Sequence, residues 1–158
     1  MIRFALFAAV LLGFLSCDNS TIFEERHEFD VGSWGYDQEA VFEFEISDTT
    51  ALYDLYFTLN HGKDYAYQNL YLKAFTLFPD GSELNDPLSL EMANKAGKWY
   101  GKCSGSSCKL TALIQKDAFF NQLGKYKLRV IQFMRTDPVK DIKALQFKIR
   151  ATGKTRKN

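Results

Sequence analysis

VFEFEI, Val41 to Ile46, alternates without a break: Phe42, Phe44 and Ile46 fall on one side, Glu43 and Glu45 on the other. Successive side chains of a strand point to opposite faces, so this pattern describes a β-strand with one face in a core and one in water. The same reading extends outward along the chain. LYDLYFTL (Leu52 to Leu59), YQNLYLKAFTLF (Tyr67 to Phe78) and LSLEM (Leu88 to Met92) follow, then KLTALI (Lys109 to Ile114), YKLRVIQFMR (Tyr126 to Arg135) and KALQFKI (Lys143 to Ile149). Turn chemistry separates them: NHGKD, FPDGSE with its Pro-Asp-Gly turn, and Thr136 to Pro138. Only KDAFFNQLG, Lys116 to Gly124, reads as a short helix, closed by Gly124. About seven strands with short connections and at most one short helix predict a single all-β domain, an antiparallel β-sandwich of jelly-roll or Ig-like type. An aromatic share of 15%, with 14 Phe and 8 Tyr, agrees with β structure.

The first residues have a different character. MIRF carries one charge, Arg3, and Phe4 to Leu15 is apolar. About a dozen apolar residues are too few to span the ~30 Å hydrocarbon core as a helix. A basic start, a short apolar middle and a small residue before the break mark an export signal. Phe14, Leu15 and Ser16 before Cys17 read as a lipobox; an uncleaved membrane anchor is the alternative. The expected organisation is a signal peptide over 1–16, a lipidated N-terminus and tether over 17–38, the sandwich over 39–151 and a basic flexible tail over 152–158. The tether includes the acidic run EERHEFD (Glu24 to Asp30), whose spacing is not that of a calcium loop.

Lipid on Cys17 also resolves the cysteine count. Three Cys would leave a spare thiol in an oxidising compartment, whereas acylation of Cys17 leaves Cys103 and Cys108 as a pair. They flank SGSS, a small, Gly-containing tip that lets two strand ends approach. The pair reads as a disulfide staple over a short loop. Two unpaired thiols or a degenerate metal site are the alternatives, and neither His27 nor His61 lies near them in sequence.

Composition argues against several functions. The net charge is +1, so no nucleic acid partner is expected. Its distribution is uneven: between Asp18 and Asn60 Arg26 is the only base, and from Lys63 onward bases outnumber acids about two to one. An acidic early strand placed beside a basic late one would pair opposite charges. Val41 to Ile46 is therefore expected to pair antiparallel with a strand from the Tyr126 to Ile149 region, Glu43 and Glu45 meeting Lys127 and Arg129 or Lys148 and Arg150. No phosphate loop, G-x-S-x-G or H-E-x-x-H occurs, so no catalytic residue, metal or cofactor is expected. Trp34, Tyr65, Tyr67, Trp99 and Tyr100 are candidates for stacking on a sugar or a partner; the competing reading is that they fill the core.

Three stretches resemble a known family. DYAYQNLYL (Asp64 to Leu72), LSLEMANKAGKWYGKCSG (Leu88 to Gly105) and GKYKLRVIQFMRTDPVKDIKALQFKI (Gly124 to Ile149) are similar, in order and spacing, to motifs of the GldH gliding-motility lipoproteins of the Bacteroidetes. Where that family's preceding strand usually ends Leu-Arg, this chain has Leu59 and Asn60. The resemblance implies a non-catalytic cell-envelope lipoprotein, anchored by lipid to the inner or outer membrane and facing the periplasm. It further implies support of the gliding machinery and its associated secretion system through contacts with other envelope proteins. It singles out Tyr67, Asn69, Gly97, Trp99, Gly101 and Arg135. Gly97 and Gly101 would shape a turn around Trp99, Asn69 would close a bulge or bond a loop, and Arg135 would pair with an acid of the N-terminal half. The alternative function is a carbohydrate-binding lipoprotein with a glycan ligand on exposed aromatics.

Overall fold

Alternation of apolar and polar side chains, repeated along nearly the whole chain, builds two stacked antiparallel sheets. The computed structural model describes residues 20–157. In chain order the strands are β1 (Thr21–Glu28), β2 (Ser33–Trp34), β3 (Ala40–Ile46), β4 (Ala51–Gly62), β5 (Asn69–Leu77) and β6 (Glu83–Glu91). They continue as β7 (Lys102–Ser104), β8 (Ser107–Ala118), β9 (Gly124–Gln132), β10 (Val139–Lys140) and β11 (Ile142–Thr155). One sheet has the order β1-β11-β4-β8-β7 and the facing sheet β3-β9-β5-β6, while β2 and β10 form a small separate pair. This is the expected all-β sandwich. Cys17 and the expected signal peptide lie outside the described residues.

The pairing expected for the opening stretch is present. β3 runs antiparallel to β9, setting Phe42 opposite Leu128, Glu43 opposite Lys127 and Glu45 opposite Lys125. Glu43 and Lys127 form an ion pair at 2.7 Å. The hydrogen bond from Lys127, reinforced by its charge, holds the Glu43 carboxyl below the usual carboxylate range. Arg129 bridges Glu39 and Glu83 at 3.1 and 3.0 Å, and Lys148 meets Glu24 at 3.3 Å. The acidic and basic halves thus form mixed surfaces.

The core lies between the sheets, with Phe147 at its centre. Its ring centroid lies 5.5–6.0 Å from those of Phe23, Phe42, Phe44 and Phe57. Buried Phe120 and Tyr126 extend this aromatic cluster past Phe44.

Three local expectations are corrected. Lys116 to Gly124 is not a helix: β8 continues to Ala118, and the chain then crosses so that Phe120 enters the core against Phe44, Tyr53 and Tyr126. Alternate burial of Ala118 and Phe120 overrides the helical reading. Thr21 to Glu28 is no tether, since β1 pairs with β11 over its whole length and inserts Phe23 towards Phe44 and Phe147. The basic tail is likewise held as far as it is described. β11 runs to Thr155, Lys154 pairs with Asp117 at 3.1 Å, and the Arg156 N–H donates to the Thr50 carbonyl at 2.8 Å.

Candidate functional site

The β5 strand alternates Leu70, Leu72 and Ala74 into the core, so Asn69, Tyr71 and Lys73 stand on its outer face. Beside them the chain leaves β9 and folds back across the start of β5. The Phe133 N–H donates to the Tyr71 carbonyl at 2.7 Å, and the Tyr71 N–H donates to Met134 Sδ at 3.3 Å. Buried Gln132 shapes this loop from below. Its Oε1 accepts the Met134 N–H at 2.8 Å, and its Nε2 donates to the Thr136 carbonyl at 3.4 Å. Alternation persists past the strand end, so Met134 turns inward and Phe133 outward.

A second loop closes the opposite wall. Trp34 is fully buried, stacked on Phe29 at 4.2 Å, and its Nε1–H donates to the Gln38 carbonyl at 2.8 Å. That anchor, with β2 paired to β10, fixes the loop bearing Tyr36. The Tyr36 hydroxyl donates to the Met134 carbonyl at 2.5 Å, and its N–H donates to Asp137 Oδ1 at 2.8 Å. The hydroxyls of Tyr67 and Thr136 meet at 2.6 Å.

The result is a depression of about 640 Å³, walled by Tyr36, Tyr67, Tyr71 and Phe133 with Asn69 and Arg135 at its polar side. Phe133 is 54% exposed, Tyr36 49% and Tyr71 46%, unusual values for large rings. Lys73 Nζ sits 3.8 Å from the Phe133 ring centroid. Arg135 is exposed and makes no ion pair among the described residues, contrary to the pairing expected of it. Asn69 closes no bulge: it pairs in register with Glu91, and its carbonyl accepts the Tyr65 hydroxyl at 2.8 Å. The site offers ring faces, the exposed Arg135 cation and an amide. Among the described residues no three His, Cys, Asp or Glu side chains gather as a metal site.

Behind the depression lies the Trp99 motif. Gly97 has φ +77°, a conformation that favours glycine, and a Cβ on Gly101 would sit 2.7 Å from the Lys109 carbonyl oxygen. Gly97 thus suits a turn, and Gly101 lets the chain pass close to β8. They let Trp99 fold edge-on over His61, with ring centroids 4.8 Å apart. His61 is fully buried. Its Nδ1 lies 2.8 Å from the Gly62 carbonyl, which can only accept, so Nδ1 carries the proton and Nε2 is a buried, unpartnered lone pair. Burial pushes the His61 pKa down, against opposing contributions from the Gly62 carbonyl and Asp141. Burial also pushes the Tyr65 phenol well up.

Of the five aromatics considered for stacking, Trp34 and Tyr65 are core residues, Trp99 is half-buried, and Tyr67 and Tyr100 are exposed. Sequence reasoning missed Tyr36, Tyr71 and Phe133. The alternation that buries Leu70, Leu72 and Gln132 was the available signal for the last two. Cys103 and Cys108 form a disulfide across the β7–β8 hairpin, where the two residues are direct partners.

Residues 21–149 match the sequence profile of the GldH lipoprotein family. The chain belongs to that family. It is 30% identical over 130 residues to the gliding motility lipoprotein GldH homolog of Christiangramia forsetii, covering 82% of this chain and 79% of that relative. It is 32% identical over 131 residues to the gliding motility lipoprotein GldH of Flavobacterium johnsoniae, again covering 82% and 79%. The matched span contains all three motifs and every wall of the depression.

Proposed function

We propose that this chain is a non-catalytic lipoprotein of the cell envelope that supports the gliding machinery and its associated secretion system by protein contacts. In this reading residues 1–16 direct export, Cys17 carries the lipid, and the sandwich faces the periplasm. The observation that carries it is the exposed aromatic depression with an unpaired Arg135, built in a member of this family. Placement supports it too. β1 begins at Thr21, four positions after Cys17, and that end of the sandwich is opposite the depression. An eight-residue strand spans roughly 26 Å, so an anchored molecule holds its aromatic end away from the membrane.

Replacing the chromosomal gene with Tyr71→Ser/Phe133→Ser, at matched protein levels, tests the reading. Colony spreading and surface-adhesin secretion should fall to the level of the deletion strain. Wild-type behaviour of the variant would remove the depression from the function. A second reading, glycan binding, draws on the three tyrosine rings beside the free Asn69 amide. It predicts that the same variant grows poorly on polysaccharide while spreading normally.

A further inference from the structure

Each edge of a sheet presents a row of N–H and C=O groups that another strand can pair with, and proteins guard such edges with charge or proline. Among the described strands this sandwich has three guarded edges. β1 carries Glu24, Glu25, Arg26 and Glu28; β3 carries Glu43 and Glu45; β6 carries Glu83, Asp86, Pro87 and Glu91. The fourth edge is different. β7 pairs with β8 only as far as Lys109, so from Leu110 onward β8 has no described strand on that side. The stretch Leu110 to Gln115, LTALIQ, has no charge, no proline and no glycine, and its regular pairing with β4 is interrupted only between Leu113 and Gln115.

The surroundings of this edge suit an extended guest. A depression of about 370 Å³ runs beside it, between Leu88 and Leu90 of β6 and Leu110, Ala112 and Ile114 of β8. Leu113 also borders it and is 47% exposed. Two cations bracket the window, Lys109 and Lys116, both exposed and neither ion-paired among the described residues.

We propose that the β8 edge accepts an extended strand from a protein partner, an uncharged segment of alternating apolar residues flanked by acidic ones. The brackets select this occupant over a second copy of the chain. Antiparallel pairing of the window with itself brings Lys116 of one copy to the Lys109 end of the other, where β7 already sets Lys102 opposite Lys109, and like charges crowded together destabilise the pair. Acidic flanks reverse that sign. Backbone pairing supplies affinity, and alternate apolar side chains enter the depression between β8 and β6. This site is separate from the aromatic depression, so either can fail without the other.

The test uses the full-length chain and two labelled peptides, EEVTVTVTEE and KKVTVTVTKK. The acidic peptide should bind about tenfold more tightly than the lysine peptide, and should slow hydrogen exchange at the outward amides between Leu110 and Gln115. Leu113→Lys, at an exposed position, should weaken it at least tenfold. The double variant Lys109→Glu/Lys116→Glu should reverse the preference between peptides. Absence of saturable binding, equal affinity for the two peptides, or protection elsewhere in the chain would overturn the proposal. Concentration-dependent dimerisation that protects the same amides without peptide would overturn it in favour of a second copy.

Discussion

Two groups of aromatic rings, one between the sheets and one on the outside, show how differently the same residue types serve this molecule. Phe23, Phe42, Phe44 and Phe57 meet Phe147 at tilted to edge-on angles of 47–61° in the interior, with no polar atom among their side chains. Tyr36, Tyr67, Tyr71 and Phe133 stand around an open depression. The hydroxyls of Tyr36 and Tyr67 tie a loop in place, and their ring faces stay in contact with water. Strand parity separates the two groups: Phe42 and Phe44 alternate with glutamates, whereas Tyr71 alternates with buried leucines. Interior rings hold the sandwich together. Exterior rings, half in water, return little stability to the fold.

The largest test of that contrast is Phe147→Ala. Removing a ring that touches four others should cost about 3–5 kcal/mol, read as a lower denaturant midpoint with little change in slope. A loss under about 1 kcal/mol would mean that the interior cluster is loosely packed and the contrast false.

Much of this was legible in the sequence, and the reasons are local. VFEFEI specified its burial and, through its glutamates, its basic neighbour β9, because charge and alternation act over cross-strand distances. The motif GKWYG announced a turn, since Gly97 and Gly101 meet backbone constraints that glycine best satisfies. What the sequence hid depended on tertiary contact. Phe120 looked like part of a helix until the core claimed it, and Thr21 to Glu28 looked like a tether because β11 covers only one of its edges. Tyr36 joins the depression through a hydrogen bond to residue 134, a partner that no spacing announces.

The next effect in size concerns the hairpin behind the Trp99 turn. A Cys103–Cys108 disulfide closes a very short loop, so Cys103→Ser/Cys108→Ser should lower stability by at most about 2 kcal/mol. Intact mass of the non-reduced protein should show a deficit of two hydrogens. Two alkylatable thiols would show that the hairpin stands without the bridge.

His61 sits between the two aromatic groups, under Trp99, and gives the fold a pH dependence. Its folded pKa is lowered by burial, while the unfolded value is about 6.5. Above that pH both states are neutral and nothing changes. As pH falls through about 6.5 the unfolded chain takes up a proton that the folded chain refuses, so stability decreases. The carboxylates held low, Asp48 by Thr50 and Asp80 by Ser82, act only further down, as pH falls below the carboxylate range. Unfolding followed by Trp fluorescence between pH 7.5 and 5 should show the decline, and His61→Gln should flatten it. An unchanged slope in that variant would mean that a group other than His61 carries the pH dependence.

The smallest effect on stability is also the most informative about function. Tyr71→Ser/Phe133→Ser removes two exposed rings, one Lys73 contact and no hydrogen bond from a side-chain hydroxyl in the loop. Exposed substitutions usually stay within about 0.5 kcal/mol, and an exposed cation–ring contact adds roughly 0.5–1 kcal/mol. The unfolding midpoint should therefore move far less than for Phe147→Ala. If it moved comparably, the outer rings would be structural, and the loop from Phe133 to Thr136 would be part of the core rather than a wall. If the midpoint holds while colony spreading is lost, the rings serve something outside the molecule. Arg135→Glu then sharpens the result. With no ion pair to break among the described residues, its charge reversal should leave folding intact and weaken only an anionic contact. Normal spreading in Arg135→Glu beside lost spreading in the double variant would assign the depression to apolar contact alone.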